Sequence, residues 1–174
     1  MTDQRASTWT AAIVVMGVSG AGKSTIGEML SQRLKRPLIE GDSLHPPANI
    51  AKMSQGIPLD DNDRRPWLEA IAARIDEARR TRHPVIVTCS ALKRSYRDIL
   101  TGGHDDVGFV YLHGAKDLIA GRLKARTNHF MPPGLLDSQF AALQEPGADE
   151  PTLAIAIDAT PDEIVGKIAA AFAP

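Results

Sequence analysis

Residues Gly17 to Ser24 read GVSGAGKS, the spacing G-x-x-x-x-G-K-[ST], and each residue type in it has a use on a polyphosphate. The glycines let successive backbone N–H groups wrap around an anion, Lys23 reaches the β- and γ-phosphates, and the Ser24 hydroxyl is a ligand for Mg2+. The flanks suit the motif. Residues 11–16 (AAIVVM) form a short apolar run fit for a buried strand, and residues 23–35 can form a helix whose positive N-terminus faces the phosphates. A chance glycine turn is the competing reading, and pattern and context together set it aside. The chain is expected to bind a nucleoside triphosphate.

Carboxylates and cations placed after other apolar runs come next, because in an open parallel sheet a ligand sits beyond the carboxyl ends of the strands. The second run is followed by Glu40-Gly41-Asp42-Ser43-Leu44-His45. Asp42 there could accept a proton from an acceptor hydroxyl, orient that hydroxyl for in-line attack, or hold a water on Mg2+; a turn aspartate bonded to its own backbone is the alternative. Glu40 could reach Mg2+ through water or serve as a strand-end carboxylate. His45 precedes Pro46-Pro47 and either hydrogen-bonds a polar acceptor or stabilises the turn. Lys93 and Arg97 stand four apart after the third run, which would aim two cations from one helix face at an anionic substrate, with a surface salt-bridge face as the alternative. Arg122 and Arg126 repeat that spacing before a polar stretch, where arginines on a closing lid would neutralise a transferring phosphoryl and exclude water. The run Asp60-Asp61-Asn62-Asp63-Arg64-Arg65 reads chiefly as a helix cap, from which Arg64 could still reach an anion. Trp67 reads as a packing residue, and Cys89 as a buried strand-end thiol.

A scaffold must hold these groups together. Apolar runs at 11–16, 37–40, 84–88, 107–112 and 152–157 alternate with helical spacing at Leu68, Ile71 and Ile75, at Ile119 and Leu123, and at Ile164, Ile168 and Phe172. That alternation predicts an α/β fold with a five-stranded parallel sheet covered by helices on both faces. Thr160 and Glu163 form a capping box and Pro161 takes the first helical position of the last helix. The 174 residues suit one domain, with 1–10 expected to be mobile.

Composition narrows the class. Twenty Lys and Arg against twenty-one Asp and Glu give a net charge of −1, so no basic field draws in nucleic acid or an anionic membrane. The single cysteine forms no internal disulfide, and neither a signal peptide nor a membrane-length apolar run is visible, so a cytoplasmic enzyme is expected. The third strand ends in Cys89 rather than in a Mg2+-binding aspartate, and no Asn-Lys-x-Asp guanine-reading motif occurs. Both absences argue against a GTP switch or motor ATPase and favour a compact small-molecule kinase.

Over about residues 12–158 the chain resembles the gluconokinase family, relatives of shikimate and nucleoside monophosphate kinases. The resemblance rests on GVSGAGKS, on GDSLHPPANIAKMSQGIPLDDNDRRPWL from Gly41, on CSALKRSYRDIL from Cys89 and on RLKARTNHFMPPGLLDSQFAALQEP from Arg122. It implies a P-loop kinase three-layer fold with a mobile lid over 127–137, transfer of the ATP γ-phosphoryl to the 6-hydroxyl of D-gluconate, Mg2+, and a homodimer. Carried onto matching positions, it implies that Gly17, Ser19, Gly20, Ala21, Gly22, Lys23, Ser24 and Thr25 bind ATP. It implies further that Asp42 faces the acceptor hydroxyl, that His45, Arg64, Lys93, Arg97 and His129 lie near the sugar acid, and that Lys23, Arg122 and Arg126 serve the transfer. Ser24 would hold Mg2+, with Glu40 and Asp42 acting through water. The chain departs from the pattern at Glu40, where many relatives carry aspartate, and at the lid entrance Arg126-Thr127-Asn128-His129.

Overall fold

A computed structural model describes residues 8–125 and 133–172. Five strands form one parallel sheet: β1 (Ala12–Met16), β2 (Leu38–Glu40), β3 (Val85–Thr88), β4 (Val107–His113) and β5 (Thr152–Ala156), in the order β2-β3-β1-β4-β5. All five expected strands are present, with ends displaced by a residue or two. The helices are α1 (Lys23–Leu34), α2 (Pro47–Ser54), α3 (Asp61–Thr81), α4 (Arg94–Thr101), α5 (Lys116–Ala125), α6 (Pro133–Ala142) and α7 (Pro161–Ala171).

Side chains alternate between sheet faces, and both faces are covered, which is why the strands read as unbroken apolar runs. Ile13 and Val15 of β1 enter a core with Leu30 of α1 and Ile164 and Ile168 of α7. Val14 and Met16 enter a second core with Leu68, Ile71 and Ile75 of α3 and Leu100 of α4. The result is a three-layer α/β sandwich.

Caps fix where the helices begin. Asp60 is the N-cap of α3: Asp63 N–H donates to Asp60 Oδ1 at 2.7 Å and Asp60 N–H donates to Asp63 Oδ2 at 3.1 Å. The expected Thr160–Glu163 capping box with Pro161 is formed at α7. The expected mobility of 1–10 is corrected at its end, since Trp9 is only 2% exposed. Its indole fills the space where a Cβ on Gly108 would stand, 1.8 Å from Trp9 Cδ2, and meets Phe172 edge-on with centroids 5.6 Å apart. Among the described residues no helix is long and apolar enough to cross a membrane. Of the expected lid, 133–137 open α6 and the remainder lies outside the described residues.

Candidate active site

The loop between β1 and α1 has the cradle geometry. Gly17 has φ +148°, and a Cβ there would lie 2.7 Å from the Leu112 carbonyl oxygen, so only glycine lets the loop pass so close to β4. Gly22 caps α1 at φ +97° without a side-chain bond, which leaves no capping group over the amides of the first turn. Lys23 Nζ arches back over the loop and donates to the carbonyls of Gly17 at 3.0 Å and Val18 at 3.1 Å.

Beside it, the Glu40 carboxylate is shared by two hydroxyls. Ser24 Oγ donates to Glu40 Oε2 at 3.3 Å, and Thr88 Oγ1 donates to the same oxygen. The Thr88 hydroxyl in turn accepts from Gly41 N–H at 3.3 Å. Ser24 and Glu40 together form a hard oxygen donor set that suits Mg2+, an ion which takes one or two carboxylates and completes its shell with phosphates and water. No all-protein cage of three or more His, Cys, Asp or Glu occurs among the described residues, and none is needed for that mode.

Gly41–Leu44 form a short 3-10 turn that carries Asp42 exposed. The turn lies tight on β3: a Cβ on Gly41 would stand 2.1 Å from the Thr88 carbonyl oxygen. Trp67 Nε1 donates to the Gly41 carbonyl at 2.8 Å, and the Trp67 ring stacks on buried His45 with centroids 4.1 Å apart. Asn49 Nδ2 donates to His45 Nδ1 at 3.2 Å, which assigns the neutral ring's proton to Nε2. Burial lowers the His45 pKa; Asp42 opposes and Arg64 assists. His45 thus braces the turn from within. Burial likewise pushes the Cys89 thiol up to about 12, while the fields of Lys23, Asp42 and Arg64 all reach it at the end of β3. A thiol held protonated is the inert strand-end group expected.

A cavity of about 370 Å³, within the size of small-molecule sites, opens at the starts of α3 and α4. Asp61, Arg64, Lys93 and Tyr96 line it, with Ser138 and Ala142 of α6 on its wall. Lys93 Nζ donates to Asp61 Oδ1 at 2.9 Å, Tyr96 OH donates to the same oxygen, and Arg64 Nη1 donates to Tyr96 OH at 3.2 Å. The Tyr96 hydroxyl and then Lys93 hold the Asp61 carboxyl below the usual carboxylate range. Two cations and a phenol so arranged can receive a carboxylate and hydroxyls.

Arg97 does not join them, and its reading as a substrate-binding cation is corrected. The side chain is buried, with Nε donating to Glu150 Oε2 at 2.6 Å and Nη2 to Glu150 Oε1 at 3.0 Å. Its Nη1 donates to the carbonyls of Ala91 at 2.9 Å and Leu92 at 3.2 Å. It braces the approach to α4 rather than the ligand.

Arg122 lines a separate groove of about 140 Å³ with Gly20, Gly22, Thr25 and Pro161, and Nη2 donates to the Ile157 carbonyl at 2.7 Å. Arg126 and His129 lie outside the described residues. Sequence reasoning missed Asp61 and Tyr96 as pocket residues, Thr88 as the partner of Glu40, and Gln139, which reaches Ser19 from α6.

A family model described as Shikimate kinase matches residues 19–146. A gluconokinase of Gluconobacter oxydans (strain 621H) is 46% identical over 156 residues, covering 90% of this chain and 88% of that protein. The chain belongs to the gluconokinase family. The thermoresistant gluconokinase of Escherichia coli (strain K12) is 47% identical over 137 residues, covering 79% of this chain and 78% of that protein. The crystal structure of a gluconokinase from Sinorhizobium meliloti 1021 superimposes with a TM-score of 0.86 at 48% identity, covering 94% of this chain and 92% of that one. Family membership makes the chain a kinase, a phosphotransferase with an alcohol acceptor.

Proposed function

We infer that the chain is a gluconokinase that transfers the γ-phosphoryl of ATP to the 6-hydroxyl of D-gluconate, giving 6-phospho-D-gluconate and ADP. The observation that carries this reading is the arrangement at the carboxyl end of the sheet. There the phosphate loop, the Glu40–Asp42 turn and a cavity lined by Arg64 and Lys93 succeed one another. We propose that backbone amides of Ser19, Gly20, Ala21, Gly22, Lys23, Ser24 and Thr25 and the Lys23 ammonium receive the phosphates, while the Gly17 amide stays bound to the Ser90 carbonyl at 3.3 Å, and that Ser24 holds Mg2+ with Glu40 reaching it through water. Mg2+ held there would supply positive charge against the triphosphate. Asp42 orients the 6-hydroxyl toward the γ-phosphorus and takes its proton as the new O–P bond forms and the bond to the ADP oxygen breaks. Arg64 and Lys93 receive the gluconate carboxylate, and Tyr96 and Asp61 meet its hydroxyls.

We place Arg122 beside the nucleotide. Its groove beside Gly22, Thr25 and Pro161 adjoins the phosphate loop and supports contact with the bound nucleotide. Arg126 and His129 keep lid-side roles on sequence resemblance alone. One P-loop kinase domain, a homodimer and a cytoplasmic setting belong to the same proposal, and sedimentation equilibrium tests the dimer.

Shikimate as acceptor is a second reading, favoured by the family model over 19–146. Phosphorus NMR of the product made from D-gluconate and Mg-ATP tests the first. A phosphomonoester on C6 is expected, and no phosphorylated gluconate would count against it.

A further inference from the structure

Gln139 of α6 is bound to the phosphate loop through both ends of its amide. Ser19 N–H donates to Gln139 Oε1 at 2.7 Å, and Gln139 Nε2 donates to Ser19 Oγ at 2.9 Å. The backbone donor settles which amide atom is the oxygen. An oxygen accepting from an amide of this loop does what a phosphate oxygen does in a nucleotide complex.

The helix that presents Gln139 is anchored on one side and functional on the other. Leu136 is buried in the core and Phe140 packs against it. Just beyond the helix, Gln144 N–H donates to the Leu92 carbonyl at 2.8 Å, and Gln144 Oε1 accepts from Arg94 N–H at 2.9 Å. Ser138, next to Gln139, and Ala142 form the wall of the acceptor cavity. One short helix therefore touches both the phosphate loop and the sugar-acid pocket.

We propose that Gln139 is a positioning residue that stands in for a phosphate oxygen at Ser19 in the nucleotide-free enzyme, so that nucleoside triphosphate binding displaces it and releases α6 at the acceptor wall. This rests on the reading of the loop as the ATP site. The stand-in keeps a loop amide satisfied and the cradle shaped before the ligand arrives. It also sets two hydrogen bonds against the nucleotide, and a net hydrogen bond is worth about 1 kcal/mol, roughly fivefold in affinity. Because binding at one site moves a helix shared with the other, nucleotide and gluconate affinities are coupled, and by linkage the coupling is reciprocal.

Calorimetric titration of the full chain with a non-hydrolysable ATP analogue and Mg2+, with and without D-gluconate, tests this on wild type, Gln139→Ala and Ser19→Ala, with a thermal midpoint for each. Gln139→Ala, which removes both bonds, is expected to bind the analogue about 25-fold tighter, and the effect of D-gluconate on that affinity is expected to shrink. Ser19→Ala keeps the amide but loses the hydroxyl partner, so it is expected to shift affinity the same way by a smaller factor, and it decides the matter if Gln139→Ala does not fold. Unchanged or weaker binding in a folded variant overturns the proposal, as does coupling to gluconate equal to that of wild type. Failure of wild type itself to bind the analogue would instead sink the reading of the loop.

Discussion

The indole of Trp67 lies nearly parallel to the imidazole of His45, at 16° with centroids 4.1 Å apart, while its N–H holds the Gly41 carbonyl at 2.8 Å. Two residues from different segments thus fix the turn that carries Asp42. Trp67→Phe keeps the stack and deletes the hydrogen bond. It is expected to cost about 1 kcal/mol in denaturant unfolding and to lower kcat more than it weakens nucleotide binding, because the turn loses its backbone tether.

The same stack sets a pH dependence. His45 has its pKa lowered from 6.5 by burial, with Arg64 assisting and Asp42 opposing. Below that value the unfolded chain takes up a proton that the folded site resists, so stability at this site is full above pH 6.5 and declines as pH falls. Urea unfolding at successive pH values should show His45→Gln losing less stability than wild type over the acidic range. Parallel declines would contradict the neutral, braced histidine.

Gly41→Ala would drive a methyl group into the Thr88 carbonyl, 2.1 Å from the ideal Cβ position. Backbone must move, and the displaced residues are the neighbours Glu40 and Asp42. A stability loss of about 1–3 kcal/mol is expected, with kcat falling beyond what the unfolded fraction explains. Thermal unfolding paired with kinetics at a temperature where the variant stays folded separates the two.

Breaking the buried pair of Arg97 and Glu150 distinguishes bracing from substrate binding. Glu150→Gln leaves the guanidinium uncompensated, and the expected cost is about 3–5 kcal/mol. Lys93→Ala, in contrast, should raise the gluconate KM about tenfold or more, consistent with the worth of one charge-assisted contact, and leave nucleotide affinity unchanged. A gluconate-specific defect in Glu150→Gln without loss of stability would return Arg97 to the ligand.

Asp42→Asn keeps the shape and removes the charge. ATP analogue binding should persist, and turnover should fall by roughly 10²-fold or more, a loss typical of removing general-base assistance. Near-normal turnover would take Asp42 out of the chemistry.

How far these features were legible depends on the range of the interactions behind them. The strands and the α7 cap are local patterns and emerged from spacing alone. Arg97 was misjudged because Lys93 is not on the helix: it is the extended N-cap at φ −100° and ψ 149°. Spacing of four residues then aligns nothing, and Arg97 turns inward to an acid 53 positions away. Asp61 was hidden in an acidic run read as a cap; Asp60 takes that duty, which lets Asp61 bind Lys93 and Tyr96. Trp9 is ordered because Gly108 leaves it room, and Gln139 meets Ser19 across 120 residues. Neither pairing has a sequence period to betray it.

ADP release with Mg-ATP and D-gluconate, set beside shikimate, AMP, other sugar acids and no acceptor, decides whether gluconate is the acceptor of this kinase. Strong stimulation by D-gluconate alone among them is the expected result. Stimulation by shikimate or another acceptor in its place, or hydrolysis indifferent to any acceptor, would contradict the assignment.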